Sequence, residues 1–138
     1  MRVPQQLDYT LRALVALANL PGDAASAAGT LALSAGLPKR FVEQQMTTLT
    51  KAGIVASRRG AGGGCTLARP AEAITVLDVV RAVQGVALDI PRTSSCAVSE
   101  MWGQAAATLE EHLADVTLAD LAARQAEIGC GRSAMYYI

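Results

Sequence analysis

The chain has 138 residues, of which 51% are hydrophobic and 17% charged, and this balance indicates one globular domain and excludes intrinsic disorder. No apolar run approaches the roughly 18–20 residues of a membrane span, and the first residues lack the apolar stretch of a secretory signal. We therefore expect a cytoplasmic protein that does not bind membranes.

The formal net charge is zero, but the two halves of the chain carry opposite charges. Residues 1–70 hold eight cations and three acids, a net charge of +5, whereas residues 71–138 hold four cations and nine acids, a net charge of −5. An asymmetry of this kind favours an anionic partner for the first half of the chain.

The chain begins with two predicted helices. Leucines recur at three- and four-residue steps from Leu7 to Leu14, a spacing typical of one face of an amphipathic helix. This helix should end at the Pro-Gly-Asp turn of residues 21–23. A second, short and alanine-rich helix is predicted from Ser26 to Leu33.

A third helix is predicted to start with Pro38 at its first position and to end at about Ala52, before the capping residue Gly53. Its pattern has two faces. The face expected to be buried consists of Val42, Met46 and Leu49. The polar face consists of Arg40, Glu43, Gln44, Thr47 and Lys51.

A glycine-tipped hairpin follows, with one strand at Ile54–Arg58 and its return at Cys65–Ala68. The tip, residues 59–64, contains four glycines, which permit the positive φ that a tight hairpin requires. The glycine run lacks the Gly-Lys-Ser/Thr ending of a P-loop and leads into a strand, which excludes nucleotide binding.

Two further helix starts share one capping pattern. Thr75 is followed three residues later by Asp78, and Thr117 in the same way by Asp120, so that each pair can satisfy the free amide groups of a first helical turn. Residues 85–97 between them have little periodicity and are expected to form a loop that contains Pro91.

The segment after this loop carries apolar residues at steps of four and three, close to a heptad repeat. The residues of this stripe are Val98, Trp102, Ala106, Leu109, Leu113 and Val116. The stripe fits either a helix that pairs with a second copy of the chain or a helix that lies on its own domain. We expect dimerisation through Trp102, Ala106, Leu109 and Leu113.

Three helices followed by a two-stranded hairpin is the order of a winged helix-turn-helix. The expected fold is therefore mainly α, with a small two-stranded wing and a long dimerisation helix. We place the winged helix-turn-helix domain at residues 1–84, and the sensory loop, dimerisation helix and C-terminal tail at residues 85–138.

The polar residues of the third helix and hairpin suit double-stranded DNA. Lysine and arginine can neutralise phosphates or reach guanine, glutamine offers a bidentate amide to adenine, and glutamate accepts from the cytosine amino group. Arginines at the mouth of a wing can enter a minor groove. The candidate DNA-contacting residues are Lys39, Arg40, Glu43, Gln44, Arg58, Arg59, Gly60 and Gly62. A merely solvated helix face and turn is the alternative.

Four motifs occur in chain order: LDYTLRAL at 7–14, RRGAGGGCTLA at 58–68, ITVLDVVRAV at 74–83 and VTLADL at 116–121. Together they resemble the bacterial iron–sulfur cluster regulator family of winged-helix transcription regulators. The resemblance implies a homodimeric regulator, usually a repressor, whose helix with Trp102 and Leu109 crosses the partner subunit. It also implies DNA contacts at the positions of Lys39, Arg40, Glu43, Gln44 and Arg59.

The resemblance also exposes a departure in the sensory half. Cluster-binding members of the family carry three cysteines in the loop before the dimer helix, and here only Cys96 is present. Some members complete the cluster at the position of Ser99 or with an N-terminal aspartate from the other subunit, here Asp8. Cys96 with Asp8 does not supply four ligands. We expect no cofactor, since a cluster would have to recruit Cys130 or bind in an unfamiliar way.

The cysteines are odd in number and far apart, which does not fit a disulfide framework. Cys65 on the return strand is expected to pack as a small hydrophobe, and Cys130 is expected to be an exposed thiol in a C-terminal tail. Cys96 is the best candidate for a redox thiol. His112, the single histidine, is expected at the surface or in a dimer contact, and no metal site is predicted.

The leading hypothesis is a dimeric, sequence-specific DNA-binding transcription regulator, a repressor that senses redox state, a metal or a small metabolite. The alternative is a winged-helix protein-interaction module without specific DNA binding, which the neutral total charge favours. A thiol enzyme built on Cys96 would lack a base at recognisable spacing, so we expect no enzymatic activity.

Overall fold

The computed structural model of the chain describes residues 2–21, 24–90 and 95–136, with side chains up to residue 129. These residues form six α-helices, two strands and a 3₁₀ turn at Ala71–Ala73. In chain order the helices and strands are α1 (Gln5–Ala18), α2 (Ala28–Ala35), α3 (Lys39–Lys51), β1 (Val55–Arg58), β2 (Gly64–Leu67), α4 (Val76–Gln84), α5 (Ala97–Asp115) and α6 (Leu118–Tyr136). The expectation of a mainly α fold with a two-stranded wing is confirmed. The predicted turn at Gly22 and Asp23, and Pro91 of the predicted loop, lie outside the described residues.

The core lies where α1, α2, α3 and α4 meet, because each of these helices has one apolar face. The side chains of Leu14, Leu31, Leu49 and Val79, one from each helix, are almost completely buried there. Leu118, at the start of α6, joins the same core, and α6 packs along α1. The domain boundary placed at residue 84 stays a prediction. Within the described residues, none of the helices combines the length and apolar character needed to cross a membrane.

The wing is an antiparallel pair in which Val55 lies opposite Leu67 and Arg58 opposite Gly64. Sequence reasoning missed its third partner, Ser26, which precedes α2. The amide of Ser26 donates to the carbonyl of Cys65 at 2.9 Å, and the amide of Cys65 donates back at 2.7 Å. These two hydrogen bonds fasten the wing to the start of the helix-turn-helix.

The two predicted capping boxes are present and lie side by side. The hydroxyl of Thr75 accepts from the amide of Asp78, whose carboxylate accepts from the amide of Thr75; Thr117 and Asp120 repeat this arrangement. Two backbone hydrogen bonds join the starts of the two helices. The amide of Val76 donates to the carbonyl of Val116 at 2.8 Å, and the amide of Leu118 donates to the carbonyl of Ile74 at 2.9 Å. We call this joint the cap junction.

Helix α5 returns along α4 in the opposite direction, since its C-terminal end meets the start of α4 at the cap junction. Further along, Arg81 of α4 and Glu110 of α5 form an ion pair at 3.8 Å. None of the 19 residues of α5 is buried. Within a single copy of the chain, α5 therefore lies at the surface with one side against α4.

Several predicted boundaries were wrong by one or two residues, including the end of α2, which is Ala35 instead of Leu33, and both ends of β2, which is Gly64–Leu67 instead of Cys65–Ala68. Helix α2 starts at Ala28 instead of Ser26, because Ser26 is hydrogen-bonded to the wing. Pro38 caps α3 instead of occupying its first position. Ile54 precedes β1, because its amide donates to the carbonyl of Leu49 and closes the end of α3.

The predicted C-terminal tail around Cys130 was also wrong, since the backbone continues as α6 to Tyr136. Glycines at 129 and 131 suggested a tail, but a helical glycine costs only about 1 kcal/mol relative to alanine and, unlike proline, removes no hydrogen bond. The side chain of Cys130 lies outside the described part of the chain.

Candidate nucleic-acid interface

Helix α3 has the two faces that its sequence predicts. Val42, Met46 and Leu49 are buried in the core. The predicted contact residues Lys39, Arg40, Glu43 and Gln44 are all exposed, as are Thr47 and Lys51. The structure therefore brings the four predicted side chains of α3 onto one accessible, polar surface. We call these four residues, together with Thr47 and Lys51, the α3 face.

A buried polar contact joins α1 to α3. The hydroxyl of Thr10, on α1, lies 3.2 Å from Oε1 of Gln45 and 2.7 Å from the carbonyl of Gln6, to which it can also donate. Thr10 is fully buried and Gln45 is 5% exposed. Each of the two polar residues interrupts the apolar face of its helix, which indicates from the sequence that each is buried. That they contact each other is known only from the fold.

The start of α3 is held by its neighbours. The ring of Phe41 packs edge-on against the ring of Tyr9 of α1, with centroids 5.7 Å apart. On the exposed side, Nζ of Lys39 lies 3.8 Å from a carboxylate oxygen of Glu43. This surface ion pair contributes little to stability, but it places a cation next to the acid on the α3 face.

The wing tip carries the remaining predicted residues. Gly60 and Gly62 have φ values of +96° and +76°, a conformation that favours glycine. Arg58 at the end of β1 and Arg59 just beyond it are both exposed. Residues 52–54 connect α3 to β1, so the wing follows the α3 face along the chain.

Cys96 is the N-cap of α5, a role that sequence reasoning missed. Its sulfur accepts from the amide of Ser99 at 3.5 Å and lies 3.4 Å from the Ser99 hydroxyl. These contacts, the hydroxyl first and then the amide, lower the pKa of the exposed Cys96 thiol. Burial instead raises the pKa of Cys65, whose thiol packs in the core as predicted.

The apolar stripe of α5 is only partly covered. Trp102, Ala106, Leu109 and Leu113 are half-buried, and nearer the start of the helix Val98 is 61% exposed. Val98 is the most exposed residue of the stripe.

No three acidic, histidine or cysteine side chains of the described residues are grouped so that they could hold a metal ion. His112 lies exposed near the end of α5.

Comparison with known proteins gives consistent results. Residues 3–124 match the Rrf2 family model, described as an iron-dependent transcriptional regulator. The HTH-type transcriptional regulator CymR of Bacillus subtilis is 30% identical over 124 residues, which cover 88% of this chain and 90% of CymR. The solved structure of CymR, the global cysteine regulator of B. subtilis, superposes with a TM-score of 0.79 at 28% identity and covers 90% of this chain and 98% of CymR. The structure of IscR from T. potens gives a TM-score of 0.77 at 32% identity, with coverages of 88% and 85%.

Proposed function

The chain belongs to the Rrf2 family of transcriptional regulators, and from this premise we propose that it binds DNA sequence-specifically as a homodimer and represses transcription. Its relatives are transcriptional regulators, not enzymes. Since the DNA it would bind lies in the bacterial cytoplasm, we place the protein there.

The observation that carries the proposal is the α3 face, which is polar and exposed while the opposite side of the helix is anchored in the core. An α-helix fits the major groove, where its side chains reach the base edges. In this arrangement Arg40 and Lys39 contact guanine or phosphate, Gln44 contacts adenine and Glu43 accepts from cytosine. The burial of Val42, Met46 and Leu49 supports this role, because it fixes which side of α3 points outward.

The wing supplies a second contact. Arg58 and Arg59 would enter the adjacent minor groove, where the negative potential of narrow, A·T-rich segments attracts arginine. Gly60 and Gly62 lack side chains that would hold the tip away from the DNA backbone, so the peptide groups can approach the phosphates closely.

Dimerisation through α5 follows from its partly uncovered stripe. No residue of α5 is fully buried in its own domain, whereas a second copy would cover the area of Trp102, Ala106, Leu109 and Leu113 that is still exposed. Two copies would place two α3 faces on one side of the DNA, as a palindromic operator requires.

The sensory input proposed here is redox state, a metal or a small metabolite, with the Cys96 thiol as candidate redox group. A conventional iron–sulfur cluster does not fit the donor set, because such clusters take four protein ligands. Of the two cysteines whose side chains are described, Cys65 is buried in the core and only Cys96 is accessible. Asp8 on α1 is paired with Arg12 at 2.9 Å. We therefore derive no step through a cluster.

The test is selection of duplexes from a randomised double-stranded DNA library by the purified full-length chain. Enrichment of one sequence motif, with an affinity that falls at least tenfold between about 50 and 200 mM salt, is the expected result. Arg59→Ala should weaken binding to the enriched duplex, whereas the matched control Arg124→Ala, on α6, should not. Absence of enrichment would overturn the proposal and favour the protein-interaction alternative.

The dimer is tested separately by sedimentation. Wild-type protein should sediment as a dimer, and Trp102→Ala should shift it towards monomer while the helical circular dichroism is retained. A wild-type monomer would contradict this part of the proposal.

A further inference from the structure

Thr47 occupies the middle of the α3 face. Seven residues span about 1.9 helical turns, so Thr47 lies about 20° around the helix axis from Arg40. The fully buried Leu49 lies nine residues from Arg40, on the opposite side of the helix. Thr47 therefore points away from the core, one turn beyond Glu43 and Gln44, and its side chain is exposed.

The hydroxyl of Thr47 is already engaged. It donates to the backbone carbonyl of Glu43, one turn earlier, at 3.1 Å. A hydroxyl has a single hydrogen, so that Thr47 has no hydrogen left to donate to a guanine or adenine acceptor. The groups that remain are the methyl group and the lone pairs of the oxygen, which lies back against the helix.

The neighbouring side chains already provide the polar part of a base-reading surface. Arg40 and Gln44 supply donors, and the carboxylate of Glu43 supplies acceptors, all of them exposed. An apolar group that contacts the thymine 5-methyl is the remaining element of major-groove recognition. On the α3 face only Thr47 carries a methyl group at a central position.

We propose that Thr47 is a specificity-determining residue, which selects thymine through van der Waals contact between its methyl group and the thymine 5-methyl. This inference rests on the proposed binding of α3 in the major groove. It predicts that each half-site of the operator contains a thymine whose replacement by uracil weakens binding. Uracil differs from thymine only by the missing 5-methyl group.

Two neighbouring threonines serve as comparisons. The hydroxyls of Thr48 and Thr50 donate to the carbonyls of Gln44 and Met46 at 3.3 and 2.7 Å, so their hydrogen bonding matches that of Thr47. They differ in position, because each lies about 80° around the helix from Arg40. Thr50 is thus a matched control that has the same chemistry at the edge of the face.

The experiment uses the duplex enriched by the wild-type chain, with each thymine replaced in turn by deoxyuridine. At one position per half-site, wild-type binding should weaken about fourfold, the factor that corresponds to burial of one methyl-sized group. Thr47→Ser keeps the hydroxyl and removes the methyl, so it should bind the thymine duplex about fourfold more weakly and show no further loss with uracil. Thr47→Val keeps a methyl, and Thr50→Ser keeps Thr47 intact; both should retain the uracil penalty.

Three results would overturn the inference: no thymine at which uracil weakens wild-type binding, an unchanged uracil penalty in Thr47→Ser, or loss of binding in Thr47→Val but not in Thr47→Ser. The last result would assign recognition to the hydroxyl oxygen. These outcomes differ from failure of the proposed function, in which no duplex is enriched at all.

Discussion

Replacement of Gly64 by alanine tests how the wing is attached to the rest of the protein. Gly64 has a φ of +142°, and a Cβ atom there would lie 2.4 Å from both the carbonyl carbon and the oxygen of Ser26, and 2.7 Å from the amide nitrogen of Ala27. All three are backbone atoms, so no side-chain rotation can relieve the overlap. The wing must move away from the start of α2.

The expected loss of stability can be worked out from the hydrogen bonds that this movement breaks and from the backbone strain of the new residue. The two hydrogen bonds between Ser26 and Cys65 would be lost, at about 1 kcal/mol each. The positive φ adds about 1–3 kcal/mol of backbone strain for a residue with a side chain. We therefore expect Gly64→Ala to lower the free energy of unfolding by about 3–5 kcal/mol, a large part of the 5–15 kcal/mol typical of a domain.

Urea unfolding followed by far-ultraviolet circular dichroism measures this loss. The matched control is Gly62→Ala, at the wing tip, where φ is +76° but no atom lies within 4 Å of the added Cβ. This variant carries strain without overlap and should lose about 1–2 kcal/mol. Equal losses in the two variants would refute the reasoning, because they would show that contact with Ser26 contributes nothing.

Three further substitutions test contacts within the fold and at Cys96. Thr10→Val should lower the free energy of unfolding by about 1–3 kcal/mol, since the buried Gln45 side chain loses its hydroxyl partner; adding Gln45→Leu should recover part of this loss in urea unfolding. Ser99→Ala should raise the pKa of the Cys96 thiol, because the hydroxyl contact that lowers it is gone; the midpoint of the pH dependence of iodoacetamide alkylation at that cysteine should move to higher pH. Thr75→Ala should cost about 1 kcal/mol in urea unfolding through loss of the helix cap, and Thr75→Ser should cost less.

Controls separate these effects from general damage. Ser95→Ala, next to Cys96 but outside its hydrogen bonds with Ser99, should leave the alkylation midpoint unchanged, and peptide mapping should distinguish Cys96 from Cys130 and from the slower, buried Cys65. An unchanged midpoint in Ser99→Ala would contradict the assigned cause of the lowered pKa. A double variant at Thr10 and Gln45 no more stable than Thr10→Val would show that the two side chains act independently.

Local patterns were sufficient to predict most of the fold. The apolar face of α3 and the capping box at Thr75 depend on residues within two helical turns, so periodicity and spacing reveal them. The contact of Ser26 with Cys65 and that of Thr10 with Gln45 join residues 39 and 35 positions apart. No local pattern encodes such pairings, because they exist only after the helices pack.

The residues of the candidate site were also predictable from the sequence only in part. The polar residues of the α3 face were identified by type, since a helix exposes what it does not bury. The role inferred for Thr47 was not, because it depends on the hydrogen bond from the hydroxyl to the carbonyl of Glu43, which is set by a side-chain rotamer. The capping role of Cys96 was missed because the sequence around it was interpreted as a loop up to residue 97. A cysteine three residues before a serine, at the start of a helical stripe, is the signal that was available.

The cap junction joins the C-terminal end of α5 to the start of α4. Its 19 residues are about 28 Å long, against about 13 Å for the nine residues of α4, so about half of α5 extends beyond the helix that supports it. The cap junction lies at Val116, and Cys96 lies at the opposite end of α5. A rotation of about 5° at the junction would carry that end through about 2.4 Å, a displacement comparable to half a helical turn. Cys96 therefore lies at the end of α5 farthest from the cap junction, and α4, whose start forms part of that junction, packs against α3.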